Sequence, residues 1–244
     1  MLRFGSRVGG SVSLACAALI APMAWAEGGK IDPGDTAWII VASALVLFMM
    51  IPALAMFYGG LVRVKNVLSL FMQCFVITAL VSVLWLAFGY SLAFDSTGMV
   101  KGSFGLHAIV GGLSRVFLHG VGPGTVFKTI PEGVFFVYQA TFAVITPGLF
   151  IGAFAERVKF SGLLVFTALW VTICYFPLCH MIWGGDGAFF ADRGVLDFAG
   201  GIVVHLSAAV TALVMAILIG PRKGYGITAM PPHNMTMCLA GTAM

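Results

Sequence analysis

Charged residues along this chain are gathered into short clusters separated by five long apolar windows, at positions 36–62, 66–94, 133–155, 160–185 and 198–221, none of which contains Asp, Glu, Lys or Arg. The shortest window has 23 residues. About 20 residues of helix, rising 1.5 Å each, cross the roughly 30 Å hydrocarbon core of a bilayer, so each window predicts one transmembrane helix. Lipid offers no partners to backbone N–H and C=O groups, and the windows are too long and too uniformly apolar for barrel strands. The expected fold class is therefore all-α integral membrane: a polytopic helical bundle.

Two further stretches are apolar but shorter. In the first 26 residues, Arg3 and Arg7 precede a run from about Val12 to Ala21 and then Ala24-Trp25-Ala26, which reads as a secretory signal cut before Glu27. At the other end, a run from about His233 to Met244 would give roughly 18 Å of helix, too little to span, so a sixth helix is expected to be cut short. Residues 27–244 then form one membrane domain.

The short loops set the expected orientation. The first, third and fifth helices end at Arg63/Lys65, Arg157/Lys159 and Arg222/Lys223. The opposite side holds Asp95, Glu132, Asp186, Asp192 and Asp197, with scattered Lys101, Arg115, Lys128 and Arg193. The positive-inside rule and the signal agree on an outside N-terminus. The stretch Asp95–Glu132, rich in glycine, is expected as an outer loop with a short interfacial helix near His107 to Leu118.

Composition narrows the class. Only 9% of residues are charged and 60% are hydrophobic. The net charge of +4 comes without a basic stripe, which argues against a nucleic-acid partner. Of five cysteines, Cys16 lies in the signal and Cys74, Cys174, Cys179 and Cys238 in apolar runs, reading as buried small hydrophobes rather than bridges. His107 and His119 fall in the watery loop, and metal binding there is the lesser reading. No catalytic residues and no cofactor are expected.

Candidate chemistry lies inside the windows. His205 sits in the fifth, where an ionisable side chain is costly unless it faces a cavity or a partner. It is either a pore-lining group or a core histidine bonded to a neighbouring helix. Asp197 precedes that window, placed to cap the free N–H groups of its first turn, and Gly200-Gly201 would admit a close-packed helix. In the third window Phe135, Tyr138 and Phe142 share one face with Gln139 beside them. They are ordinary packing or the wall of an entrance. Trp183, ending the fourth window, is a belt residue or a π face for a cation. Together these residues suggest an aromatic outer vestibule above a histidine, suited to a small weak acid or base that can give up a proton.

The residues then show a family resemblance. The chain resembles the N-terminal half of the ammonium transporter family (Amt/Mep/Rh), nearest the bacterial Amt branch. The matching pieces are Pro52–Ser69, Gly89–Phe94, Phe142–Gly148, Gly152–Arg157, His180–Gly185, Asp197–His205 and Pro232–Asn234. The resemblance implies eleven-helix homotrimers with one pore per protomer, built from two inverted halves. It matches Trp183 to the external ammonium-recruiting tryptophan, with Tyr138 beside the vestibule. Phe142 matches the outer gating phenylalanine and His205 the first pore histidine. Asp197, Gln139 and Tyr175 fall at supporting positions. The second gating phenylalanine, the vestibule serine and the second histidine belong to helices that follow in family members.

Implied cargo is ammonium or ammonia, with methylammonium as analogue. The implied setting is the bacterial inner (cytoplasmic) membrane, crossed several times, and a PII-type signalling protein is an implied cytoplasmic partner. An ammonium sensor carrying a downstream signalling domain is the alternative. A haem protein using His180, His205 or His233 is disfavoured, since His180 and His205 are expected at different depths.

Overall fold

The computed structural model describes residues 30–244, so the expected signal lies outside the described residues. All five windows are helical: α1 Pro33–Leu61, α2 Val64–Phe94, α3 Glu132–Phe154, α4 Phe160–Trp183 and α5 Gly201–Ile219. A short α6, Met235–Ala243, follows, begun by the Asn234 side chain accepting from the Met237 N–H at 2.9 Å. The expectation of five spans agrees with this order.

Two windows are less regular than their composition suggests. α1 starts under Asp32, whose carboxylate accepts from the Asp35 N–H at 2.8 Å, but it breaks at Ile51, which is extended (φ −133°, ψ 111°) just before Pro52. Proline withholds a donor and disfavours helical backbone in the residue before it, so one window holds two helical segments. The fifth window becomes helical only at Gly201, because Gly200 takes a left-handed turn (φ 82°) first.

α3 is the central helix. In its most apolar stretch 56% of residues are buried, against 17% for α5, which sits at an edge. Glycine makes the central crossing possible: a Cβ on Gly152 would stand 2.2 Å from the Tyr58 ring of α1, and one on Gly148 2.5 Å from the Met50 sulfur. Tyr58 then donates to the Leu149 carbonyl at 2.6 Å, closing the crossing. α6 lies on the second half of α1 by the same device, with a Cβ on Gly60 only 2.6 Å from the Cys238 nitrogen. α5 is tied to α4 by the Trp170 indole donating to Thr211 at 3.0 Å.

The helix ends sort into two faces. On the basic face, Arg63 meets Glu156 and Arg157 meets the Gly220 carbonyl, joining the ends of α1, α3 and α5. On the opposite face, the loop from Asp95 to Glu132 is pinned by buried carboxylates. Asp95 accepts from the N–H groups of Thr97 at 3.0 Å and Ser114 at 2.8 Å. Glu132 accepts from the Tyr90 hydroxyl at 2.8 Å and pairs with Arg115. The expected interfacial helix at His107–Leu118 is instead two three-residue turns, Leu106–Ala108 and Val116–Leu118. Gly111 between them is pressed so close to the Ser91 carbonyl that a Cβ would come within 2.5 Å, and Phe117 and Leu118 have positive φ. A short hairpin, β1 Val126–Phe127 and β2 Ile130–Pro131, completes the loop.

Candidate functional site: an aromatic vestibule at the loop face

The site is built where three elements end together. α3 climbs to the loop face carrying Phe135, Tyr138, Gln139 and Phe142; α4 ends there at Trp183; and Asp197 begins the turn into α5. The hairpin folds over them, its Phe127 ring stacked on Phe135 with centroids 3.6 Å apart. A pocket of about 250 Å³ lies between these pieces, lined by Tyr138, Gln139, Phe142, Trp183, Asp197 and Lys128 among others.

Its rings form a continuous wall. Tyr138 meets Phe142 edge to face at 5.0 Å, and Phe142 meets Trp183 at 6.2 Å and 66°. The orientation of Trp183 is held from outside the ring, because its Nε1–H donates to the Asp197 carbonyl at 2.7 Å. Gln139 adds an amide oxygen that is buried and has no hydrogen-bond partner among the described residues.

Asp197 carries more than an N-cap. Its Oδ1 accepts from the N–H groups of Gly200 at 2.6 Å and Gly201 at 2.8 Å, and its Oδ2 from Ile202 at 2.8 Å and Val203 at 2.9 Å. One carboxylate thus receives four N–H donors at the start of α5, where the helix dipole also favours negative charge. Partial burial pushes its pKa up, but the donors outweigh that and hold it below the ordinary carboxylate value. The glycine pair is used differently from expectation. Gly200 supplies the left-handed turn, and a Cβ there would press on Val204 at 2.8 Å, whereas Gly201 is exposed with no helix against it among the described residues.

His205 follows one turn deeper, about 6 Å along the axis from Gly201. Its side chain is exposed, on an outward arc of α5 that also carries Leu206, Val210, Leu213, Val214, Ile217 and Leu218. It is therefore neither packed in the core nor part of the vestibule wall. Tyr175 lies apart as well, fully buried in α4 between Trp170 and Phe176, its hydroxyl without a partner. His180 is fully buried with both ring nitrogens on carbonyl oxygens, Ala93 at 3.0 Å and His107 at 2.9 Å. His233 bonds Val62 at the opposite face. These histidines stand at separate depths, unsuited to sharing one haem. Among the described residues no group of three or more His, Cys, Asp or Glu is gathered as for a metal.

Sequence reasoning passed over Phe94, Phe127, Lys128, Phe198 and Ala199 of the pocket lining. Phe127 and Lys128 sit on a hairpin too short to show strand alternation, and the Lys128 ammonium stands 5.8 Å from the Phe127 centroid. Their one signal was the aromatic-basic pair just before Glu132.

A helical bundle with five membrane-length apolar helices and an aromatic-lined mouth defines a class: polytopic membrane proteins. A profile of the Ammonium Transporter Family matches residues 37–244, and the chain belongs to that family. It is 45% identical over 213 residues to an ammonium transporter of Bacillus subtilis, covering 86% of this chain and 49% of that protein. It superposes on the crystal structure of Candida albicans Mep2 with a TM-score of 0.75 at 32% identity, covering 88% of this chain and 46% of that one. A solved protein titled a sensor Amt protein aligns with a TM-score of 0.72 at 26% identity, covering 85% and 50%. The chain thus spans about half the length of the relatives it matches.

Proposed function

We propose that the full-length protein carries ammonium or ammonia across the bacterial inner membrane, with the loop face outward and the basic face toward the cytoplasm. The observation that carries this reading is the convergence of Tyr138, Phe142 and Trp183 on one pocket. Ring faces offer a small cation a favourable surface as it leaves water. Phe142, between the other two rings, closes the pocket floor and acts as the gate. In this reading His205, one turn into α5, is the polar group of the path beyond that gate. Six basic residues near the other face, at the ends of α1, α3 and α5, support the orientation.

The outward arc of α5 supports a path shared with the rest of the protein. An imidazole open to lipid is costly, so the margin of α5 bearing His205 is covered by the half that this chain does not span. Transport is preferred to sensing because the relative at 45% identity bears the transporter name.

Recruitment is tested by Trp183→Leu in the full-length protein. A desolvated cation–π contact of about 2 kcal/mol predicts an apparent KM for methylammonium raised by about tenfold or more, with a smaller change in maximal rate. An unchanged KM would remove Trp183 from the binding step. Lys128, a fixed cation at the same mouth, should oppose the cargo. Lys128→Gln is expected to lower the KM a few-fold in dilute buffer, the gain shrinking as salt is added. A gain independent of salt would show that its charge is not the cause.

A further inference from the structure

We infer that His180 works in the folded protein as an imidazolium clamp, both ring nitrogens donating, and that through this clamp it positions Trp183 at the vestibule. The state of the ring stands without the transport reading, and only the uptake readout below rests on it. The ring is fully buried in the last turn of α4, three residues before Trp183. Its Nδ1 is 3.0 Å from the Ala93 carbonyl oxygen near the end of α2, and its Nε2 is 2.9 Å from the His107 carbonyl oxygen in the outer loop.

Two acceptors on one ring decide its state. A neutral imidazole carries one N–H and one bare lone pair, so in either tautomer one of these carbonyl oxygens would meet a lone pair at hydrogen-bond distance. A carbonyl oxygen has no hydrogen to give. Only the doubly protonated ring donates to both. No carboxylate pairs with it among the described residues. Those on neighbouring segments are engaged elsewhere, Asp95 with the N–H groups of Thr97 and Ser114, and Asp192 with those of Gly102 and Gly187. The charge is met by dipoles instead: two carbonyl oxygens aimed at the nitrogens, and the C-terminal end of α4, which favours a cation.

The clamp joins three elements that are distant in the chain, with 87 residues between His180 and Ala93 and 73 between His180 and His107. It fixes the turn that ends α4. The His180 carbonyl accepts from the Gly184 N–H at 2.9 Å, so Trp183 lies within that hydrogen-bonded turn. Its indole is held at the other end by the Asp197 carbonyl at 2.7 Å. His180 lines no part of the vestibule pocket, whereas Trp183 does. Its effect on a cargo must therefore pass through the tryptophan.

The test is solid-state NMR of the full-length protein in liposomes, with histidine labelled in its ring nitrogens and alanine in its carbonyl carbon. At neutral pH the ring nitrogen that correlates with the Ala93 carbonyl should carry a hydrogen, and so should its partner in the same ring. A bare nitrogen there would overturn the clamp whether or not the protein moves ammonium. His180→Gln, which can donate to only one of the two carbonyls, should raise the KM for methylammonium about threefold or more, with a smaller change in maximal rate. His180→Lys, which keeps a charge and several donors, should stay nearer wild type. A glutamine variant that fails to fold beside a folded lysine variant would support the clamp equally. A wild-type KM from His180→Gln, or a larger loss from lysine than from glutamine, would overturn the positioning role.

Discussion

Asp197→Ala in the full-length protein is expected to abolish methylammonium uptake and to lower thermal stability in detergent by about 3 kcal/mol. Loss of an ordinary N-cap costs about 0.5–2 kcal/mol, but this carboxylate receives four N–H groups at once. Removing it leaves the first turn of α5 without acceptors beside the pocket. The same residue's carbonyl holds the Trp183 indole, so a loosened turn also frees that ring of the vestibule wall. Asp197→Asn keeps one oxygen and should fall between the two. The sign of the pH effect follows from the depressed pKa. This contribution to stability is complete above the unfolded carboxylate value of about 3.9 and is lost as pH falls through the lower folded value. Melting temperature against pH, wild type beside Asp197→Asn, checks it; a parallel pair of curves in acid would deny the carboxylate this role.

His205→Ala should have the second large effect. On the proposed path, removing the imidazole takes away the one polar side chain assigned to the stretch beyond Phe142. Ammonium-evoked current in proteoliposomes is expected to drop at least about tenfold, while protein yield and melting temperature stay near wild type, because a side chain lining a passage is not part of the packed core. His205→Glu, which keeps a titratable group, should retain more current than alanine. Wild-type current from His205→Ala would take the residue out of the mechanism.

The parts of this architecture that composition governs could be read directly. Apolar length placed all five spans within a few residues, since no other spanning structure satisfies the backbone in lipid. Asp197 was legible as a cap because an acidic residue immediately before an apolar window has few other uses, although its reach to four donors depends on the left-handed Gly200, which no pattern shows. The aromatic face of α3 was legible from spacing, and its meeting with Trp183 from both lying at the same end. What failed was local and irregular. The break at Ile51 was signalled by Pro52 inside a window, yet windows average over such breaks. The loop turns depend on Gly111 packing against carbonyls more than fifteen residues away, and the hairpin bearing Lys128 is too short for a period to appear. The facing of His205 was beyond reach, because it depends on which side of α5 its neighbours cover.

The most direct test of the central claim is a cryo-EM structure of the full-length protein, read at one ring. The account predicts that His205 lines an enclosed passage continuous with the pocket of Tyr138, Phe142 and Trp183, covered by the half not spanned here. An imidazole facing lipid, or sealed in solid packing with no passage from that pocket, would contradict it.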